Sequence, residues 1–162
     1  MARPSTRSRV PDRTVPRQQG SLDALCGIYA IVNAMRHLVP ELAEDEDARL
    51  FAKLVRRLEK VRGRPLKGIW RGLKIKHIRR LVRHACKAVT RSAGVKLKAS
   101  RLKPDLCERL RLADLWAELR ERLQPGTVAI IGIGGLEAHW SVAVHVGRSW
   151  LKLIDSDGLT AL

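Results

Sequence analysis

The stretch Gln18-Gln19-Gly20-Ser21-Leu22-Asp23-Ala24-Leu25-Cys26-Gly27-Ile28-Tyr29-Ala30-Ile31-Val32-Asn33-Ala34 decides how the rest of the chain is read. A polar, glycine-containing loop passes at Asp23 into residues 24–38, which are apolar on nearly every side. A helix of that kind is buried on all faces. Asp23 suits the N-cap position, which sets Cys26 in the first turn, and Pro40 stops the helix. A buried helix this early in the chain requires later elements to close around it.

Those elements are legible further on. Glu44 to Val61 reads as a second helix, with acids at its start and bases toward its end, as the helix dipole favours. Leu50, Phe51, Leu54, Val55, Leu58 and Val61 form its apolar stripe. Residues 62–72 carry Gly63, Pro65, Gly68 and Gly72 and read as a loop. Lys74 to Val89 reads as a third helix, with Ile75, Ile78, Leu81, Val82, Ala85 and Val89 inward and Lys76, Arg79, Arg80, Arg83 and Lys87 outward. Val95 to Leu102 alternates weakly and is a strand candidate. Leu112 to Leu123 is a fourth helix, with Leu112, Leu115, Trp116, Leu119 and Leu123 on its core side. After Pro125-Gly126 come three β-branched runs, 127–133, 140–146 and 150–154, separated by glycine-containing turns. Helices first and antiparallel strands last indicate an α+β domain.

At 162 residues the chain fits one domain. Residues 1–17, rich in Arg, Pro, Ser and Thr, read as a disordered basic tail without the apolar core of a secretion signal. Residues 18–162 are the folded unit: a helical part over about 22–92, then a mostly β part over about 93–162 that holds the helix at 112–123. No apolar run approaches the ~20 residues that span a bilayer. Three scattered cysteines argue against a disulfide framework, so the expected location is the cytoplasm.

The formal net charge is +16. Between Lys53 and Lys103 there are 19 Lys and Arg against the single acid Glu59, which gives +18 for that segment alone. Such a field draws polyanions or acidic surfaces toward it. A nucleic acid or an acidic partner is therefore a candidate for segment 53–103, with Trp70 placed to stack on a base. No recognition motif accompanies it, so phosphate contact without sequence reading is what the segment supports.

The chemistry lies elsewhere. A thiol attacks as its thiolate, which the positive end of a helix and a nearby imidazolium both favour. On that ground iodoacetamide is expected to label Cys26 faster than Cys86 or Cys107, at rates that persist below pH 7. Far downstream, His139 opens one strand and Asp155 closes the next. With Gly147 at the centre of a three-residue hairpin loop, the two residues fall opposite each other on one face, and the carboxylate orients the imidazole. A shift of one residue parts them. Gln19 is a candidate side-chain donor to an oxyanion, beside the Cys26 backbone N–H.

The order Gln19, Cys26-Gly27 on a helix, His139-Trp140, then a strand ending in Asp155 resembles the papain-like cysteine peptidases, small bacterial double-glycine leader peptidases among them. The resemblance spans about residues 18–34 and 127–158. It implies a helical lobe carrying the cysteine helix, packed on an antiparallel sheet carrying His and Asp. It further implies Cys26 as nucleophile, His139 as base, Asp155 as orienting carboxylate, Gln19 as oxyanion donor, and a peptide or protein substrate cleaved through a thioester. Gln19 stands seven positions before Cys26, one more than is usual in the family. Family members also commonly continue through more sheet after the Asp, so the chain reads as a minimal version or an incomplete one. Deamidation, transamidation and acyl transfer use the same triad, and a catalytically silent scaffold that binds nucleic acid is the alternative.

Other motifs carry less. Ile131-Gly132-Ile133-Gly134-Gly135 leads into another strand, so it is a turn and not a phosphate loop. His77, His84, Cys86 and Cys107 match no zinc spacing, and His145 belongs to the sheet. No metal and no cofactor is expected.

Overall fold

The computed structural model describes residues 16–19, 25–42, 44–62, 72–102, 112–134 and 139–162, the side chains of 44, 60–62 and 112 excepted. The tail through residue 15, Asp23, the loop 63–71 with Trp70, Cys107, and the turn at 135–138 lie outside the described residues. So do the side chains of Val61 and Leu112. Four helices and a three-stranded antiparallel sheet make an α+β fold: α1 (Cys26–Leu38), α2 (Glu44–Arg62), α3 (Ile75–Ala93), α4 (Leu112–Arg122), β1 (Ala129–Ile133), β2 (His139–Val146) and β3 (Leu151–Ile154). No described helix is long and apolar enough to cross a membrane.

The sheet is covered on both faces, which is why its strands are apolar nearly throughout. Ile130, Trp140, Val142, Val144 and Ile154 join the core made by α1, α2 and α3. Ala129, Ile131, Ile133, Ala143, Leu151 and Leu153 form a second, smaller core under α4 with Leu115, Trp116, Leu119 and Leu123. Helix α1 lies at the centre of the larger core, and Ile28, Ile31 and Ala34 have no exposed surface.

Four expectations change. Helix α1 starts at Cys26, so Leu25 and not Asp23 holds the N-cap position, with no side-chain cap. Helix α3 runs a turn past Val89 to Ala93, because Gly94 takes the left-handed conformation (φ 69°) and its N–H caps the Thr90 carbonyl. Ile75, expected inside, is 58% exposed as the first residue of that helix. Residues 95–102 form no β ladder. Their lysines are solvated, only Leu97 and Leu102 reach a core, and the Leu97 N–H is taken by the Thr90 hydroxyl at 3.3 Å. The outer edge of β3 is instead paired by the chain end. The N–H of Leu153 donates to Thr160 O at 2.9 Å and that of Leu151 to Leu162 O at 2.8 Å.

Arg17, which composition assigns to the tail, is fixed. Its backbone N–H donates to Asn33 Oδ1 at 2.8 Å and its carbonyl accepts from Asn33 Nδ2 at 3.1 Å. Its guanidinium meets Asp47 at 3.4 Å, and Arg36 meets the same carboxylate at 2.6 Å. Asn33 and Asp47 are both buried, so α1 and α2 together clamp the segment that leads to Gln19. Burial pushes Asp47 up against the pull of these two guanidinium groups. Asp47→Ala would leave the Arg36 charge, only 14% exposed, without its partner. The expected loss is about 3 kcal/mol, a melting temperature lower by roughly 6–12 °C at this size. A loss below about 1 kcal/mol in thermal unfolding would instead mark a solvated surface pair.

Candidate active site

Gly27 is the first positioning residue. A Cβ there would lie 2.5 Å from Ile78 Cδ1, 3.1 Å from Leu73 Cδ1 and 3.3 Å from Trp140 Cδ1. A hydrogen at this position therefore lets the first turn of α1 close against β2 and α3. The Trp140 indole is held in turn by its N–H donating to the Leu73 carbonyl at 2.7 Å. This contact brings the Cys26 sulfur against the backbone N–H groups of Trp140 and Gly27, which hydrogen-bond it. Cys26 thus adjoins the residue that follows His139.

His139 and Asp155 come together through the β2–β3 hairpin. His139 Nε2 lies 2.7 Å from Asp155 Oδ2. The other oxygen, Oδ1, accepts the Asp157 N–H at 2.8 Å. Asp155 is 1% exposed, and these partners are what allow a carboxylate to stay there. The hairpin differs from the expected one. Its loop is residues 147–150, closed by Gly147 N–H donating to Trp150 O at 2.8 Å. Val146 pairs with Leu151 and His145 with Lys152, but Ala143 pairs with Leu153 and Val142 with Ile154, so Val144 is an extra residue in a β-bulge. Continued, the inner register sets Asp155 opposite Ser141 and Asp157 opposite His139. The imidazole then reaches Asp155 diagonally. Its second nitrogen, Nδ1, lies 3.3 Å from Asp157 Oδ2.

Gln19 arrives from the clamped N-terminal segment, where its backbone N–H donates to Ser156 O at 3.0 Å. All four residues singled out in the sequence are therefore gathered around one end of the sheet: Cys26 beside Trp140, His139 on Asp155, and Gln19 on the residue after Asp155. Asp157 and the Asn33 clamp were missed. Each had a signal. Asp155 and Asp157 are two apart, the spacing that shares a face, and Asn33 is a polar residue in a helix with no solvated side.

The thiol is not activated in the way the helix position suggested. Burial is the largest influence on Cys26 and pushes it above its ordinary value of 9.0, the Trp140 and Gly27 hydrogen bonds oppose this, and the carboxylates of Asp157 and Asp155 push it up further. The expected fast labelling at low pH is replaced. An acid raised above 9.0 stays protonated at neutral pH. Iodoacetamide alkylation of Cys26, followed by mass spectrometry, is expected to climb as pH rises through and beyond that value, with less than about one-hundredth of the limiting rate at pH 7. Burial raises Cys86 too, so the two thiols should differ little at pH 7.

Among the described residues no group of three His, Cys, Asp or Glu is placed to hold a metal ion. Compared with models of known protein families, with curated proteins and with solved structures, the chain matches none.

Proposed function

We propose that this chain is a cysteine-nucleophile amide-bond hydrolase with a papain-like arrangement, in its simplest form a cytoplasmic peptidase. What supports the reading is that the Cys26 sulfur lies against the Trp140 N–H, and that the residue before Trp140 carries an imidazole held 2.7 Å from a buried carboxylate. In the reaction His139 takes the Cys26 proton and the sulfur attacks the substrate carbonyl carbon. The oxyanion that forms is met by the Cys26 N–H and the Gln19 amide. The imidazolium then gives its proton to the departing amine as the C–N bond breaks. Water, deprotonated by His139, cleaves the thioester and restores the thiol. Asp155 holds the ring through Nε2 throughout.

Replacement of water by an amine or another acceptor gives transamidation or acyl transfer with the same residues, and attack on a side-chain amide gives deamidation. The reading is tested with a peptide library, scoring new N-termini by mass spectrometry. Cleavage should fall by at least about 10³-fold in Cys26→Ala and in His139→Ala, and by less in Asp155→Asn. Cleavage that survives Cys26→Ala, or its absence in the unaltered protein, would overturn the hydrolase reading.

A second reading, binding of nucleic-acid phosphates, is favoured by one specific observation. His84 on α3 is pushed down by burial and then by Arg57, Arg91, Lys53 and Lys87, so bases from α2 and α3 converge around it. Their side chains are exposed. Binding of a fluorescent single-stranded oligonucleotide is expected to weaken steeply with salt. Replacing Lys53, Arg57, Lys87 and Arg91 by Gln should lower the salt slope by roughly 3, while Cys26→Ala leaves binding unchanged. A slope unaltered in the four-residue variant would exclude this face.

A further inference from the structure

The Asp157 carboxylate sits where a general base would need an empty position. His139 Nε2 is engaged by Asp155, which is buried and fixed. Proton transfer from Cys26 must therefore go to Nδ1, the nitrogen that stands 3.3 Å from Asp157 Oδ2. With the Asp157 carboxylate this close, Nδ1 is not open to a thiol. We propose that Asp157 is a positioning residue that keeps the resting site closed, occupying Nδ1 of His139 until its carboxylate is drawn aside and the ring is released to Cys26. This inference rests on the cysteine-nucleophile reading of the site.

The surroundings suit a movable group. The Asp157 side chain is 49% exposed whereas that of Asp155 is fully buried. Asp157 is also followed by Gly158 at φ 85°, a backbone state that favours glycine. The ionisable groups in contact with the ring are Asp155 and Asp157 from the end of β3; Cys26, from α1, lies against the N–H of the next residue, Trp140, and Gln19, from the N-terminal segment, is neutral. Asp157 also disfavours the Cys26 thiolate through space, ahead of Asp155 in weight. Both influences act in one direction, toward a quiet thiol.

The test is the pH–rate profile of Cys26 alkylation by iodoacetamide in the full chain, for the unaltered protein, Asp157→Ala, Asp157→Asn, His139→Ala and the double variant Asp157→Ala/His139→Ala. Asp157→Ala is expected to speed labelling at pH 7 by about tenfold or more and to move the profile to lower pH, with thermal unfolding little changed. Asp157→Asn should show a smaller gain, since its amide still reaches the ring without carrying charge. The gain should shrink in the double variant to the part that Asp157 exerts on the thiol directly, because the rest acts through the imidazole. An unchanged profile in Asp157→Ala, or an equal gain without His139, would overturn the proposal. Its failure is separable from that of the hydrolase reading. Cys26-dependent peptide cleavage with an unchanged Asp157→Ala profile removes the gate and keeps the hydrolase. A His139-dependent gain without cleavage supports the gate and removes the hydrolase.

Discussion

The site depends on the parity of one hairpin. Side chains alternate across a strand, so a register change of one residue carries every later group to the other face. Beyond the loop the β2–β3 ladder starts with Val146 opposite Leu151. Had that register run on, Asp155 would stand opposite Val142, on the face that meets α1, while His139 pointed the other way. The extra residue at Val144 moves the pairing by one and returns Asp155 to the face of His139. Leu151 and Leu153 remain under α4, so the bulge reconciles a four-residue loop with both cores. The 2.7 Å contact between His139 and Asp155 is a consequence of that single insertion.

A second constraint sets the Cys26 thiol. Cys26 is the first residue of α1, and its place is decided by how closely that helix end approaches β2. Gly27 permits the approach, and Trp140, tethered to Leu73, fixes its direction. The same closeness removes water from the sulfur. Burial then outweighs the backbone hydrogen bonds and raises the thiol. Position and reactivity are thus in opposition here: the packing that sets Cys26 against Trp140 also disfavours its thiolate.

Much of this was legible in the residues. The periodicity of α2 and α3, the buried character of α1 and the three strand runs all follow from side-chain patterning, and residue type and order single out Cys26, His139, Asp155 and Gln19 as candidates. Three features were not. The bulge at Val144 leaves no mark, since Val-Ala-Val-His-Val reads as ordinary alternation whether or not one residue is unpaired. The extended run at 95–102 had strand-like residues, but pairing depends on a free edge, and the outer edge of β3 went to residues 160–162. Cys26 is buried at a helix end where Ile78, Leu73 and Trp140 close on Gly27, a tertiary fact. Local pattern gives elements and candidate groups; register and desolvation are set between elements.

Charge divides the molecule in two. The cations around His84 lie on the outer faces of α2 and α3, whereas the carboxylates of Asp155 and Asp157 gather at the end of β3. Exposed charges separated by more than the Debye length, about 8 Å at physiological salt, are largely screened from one another. Buried pairs are not. A polyanion on the helical face is therefore governed by ionic strength, while the His139–Asp155 pair and its hold on the ring persist at salt concentrations that would strip that ligand away. The two surfaces are chemically independent. Salt therefore separates the two proposals: phosphate binding on the helical face would fade as ionic strength rises, and thiol chemistry at the end of the sheet would not.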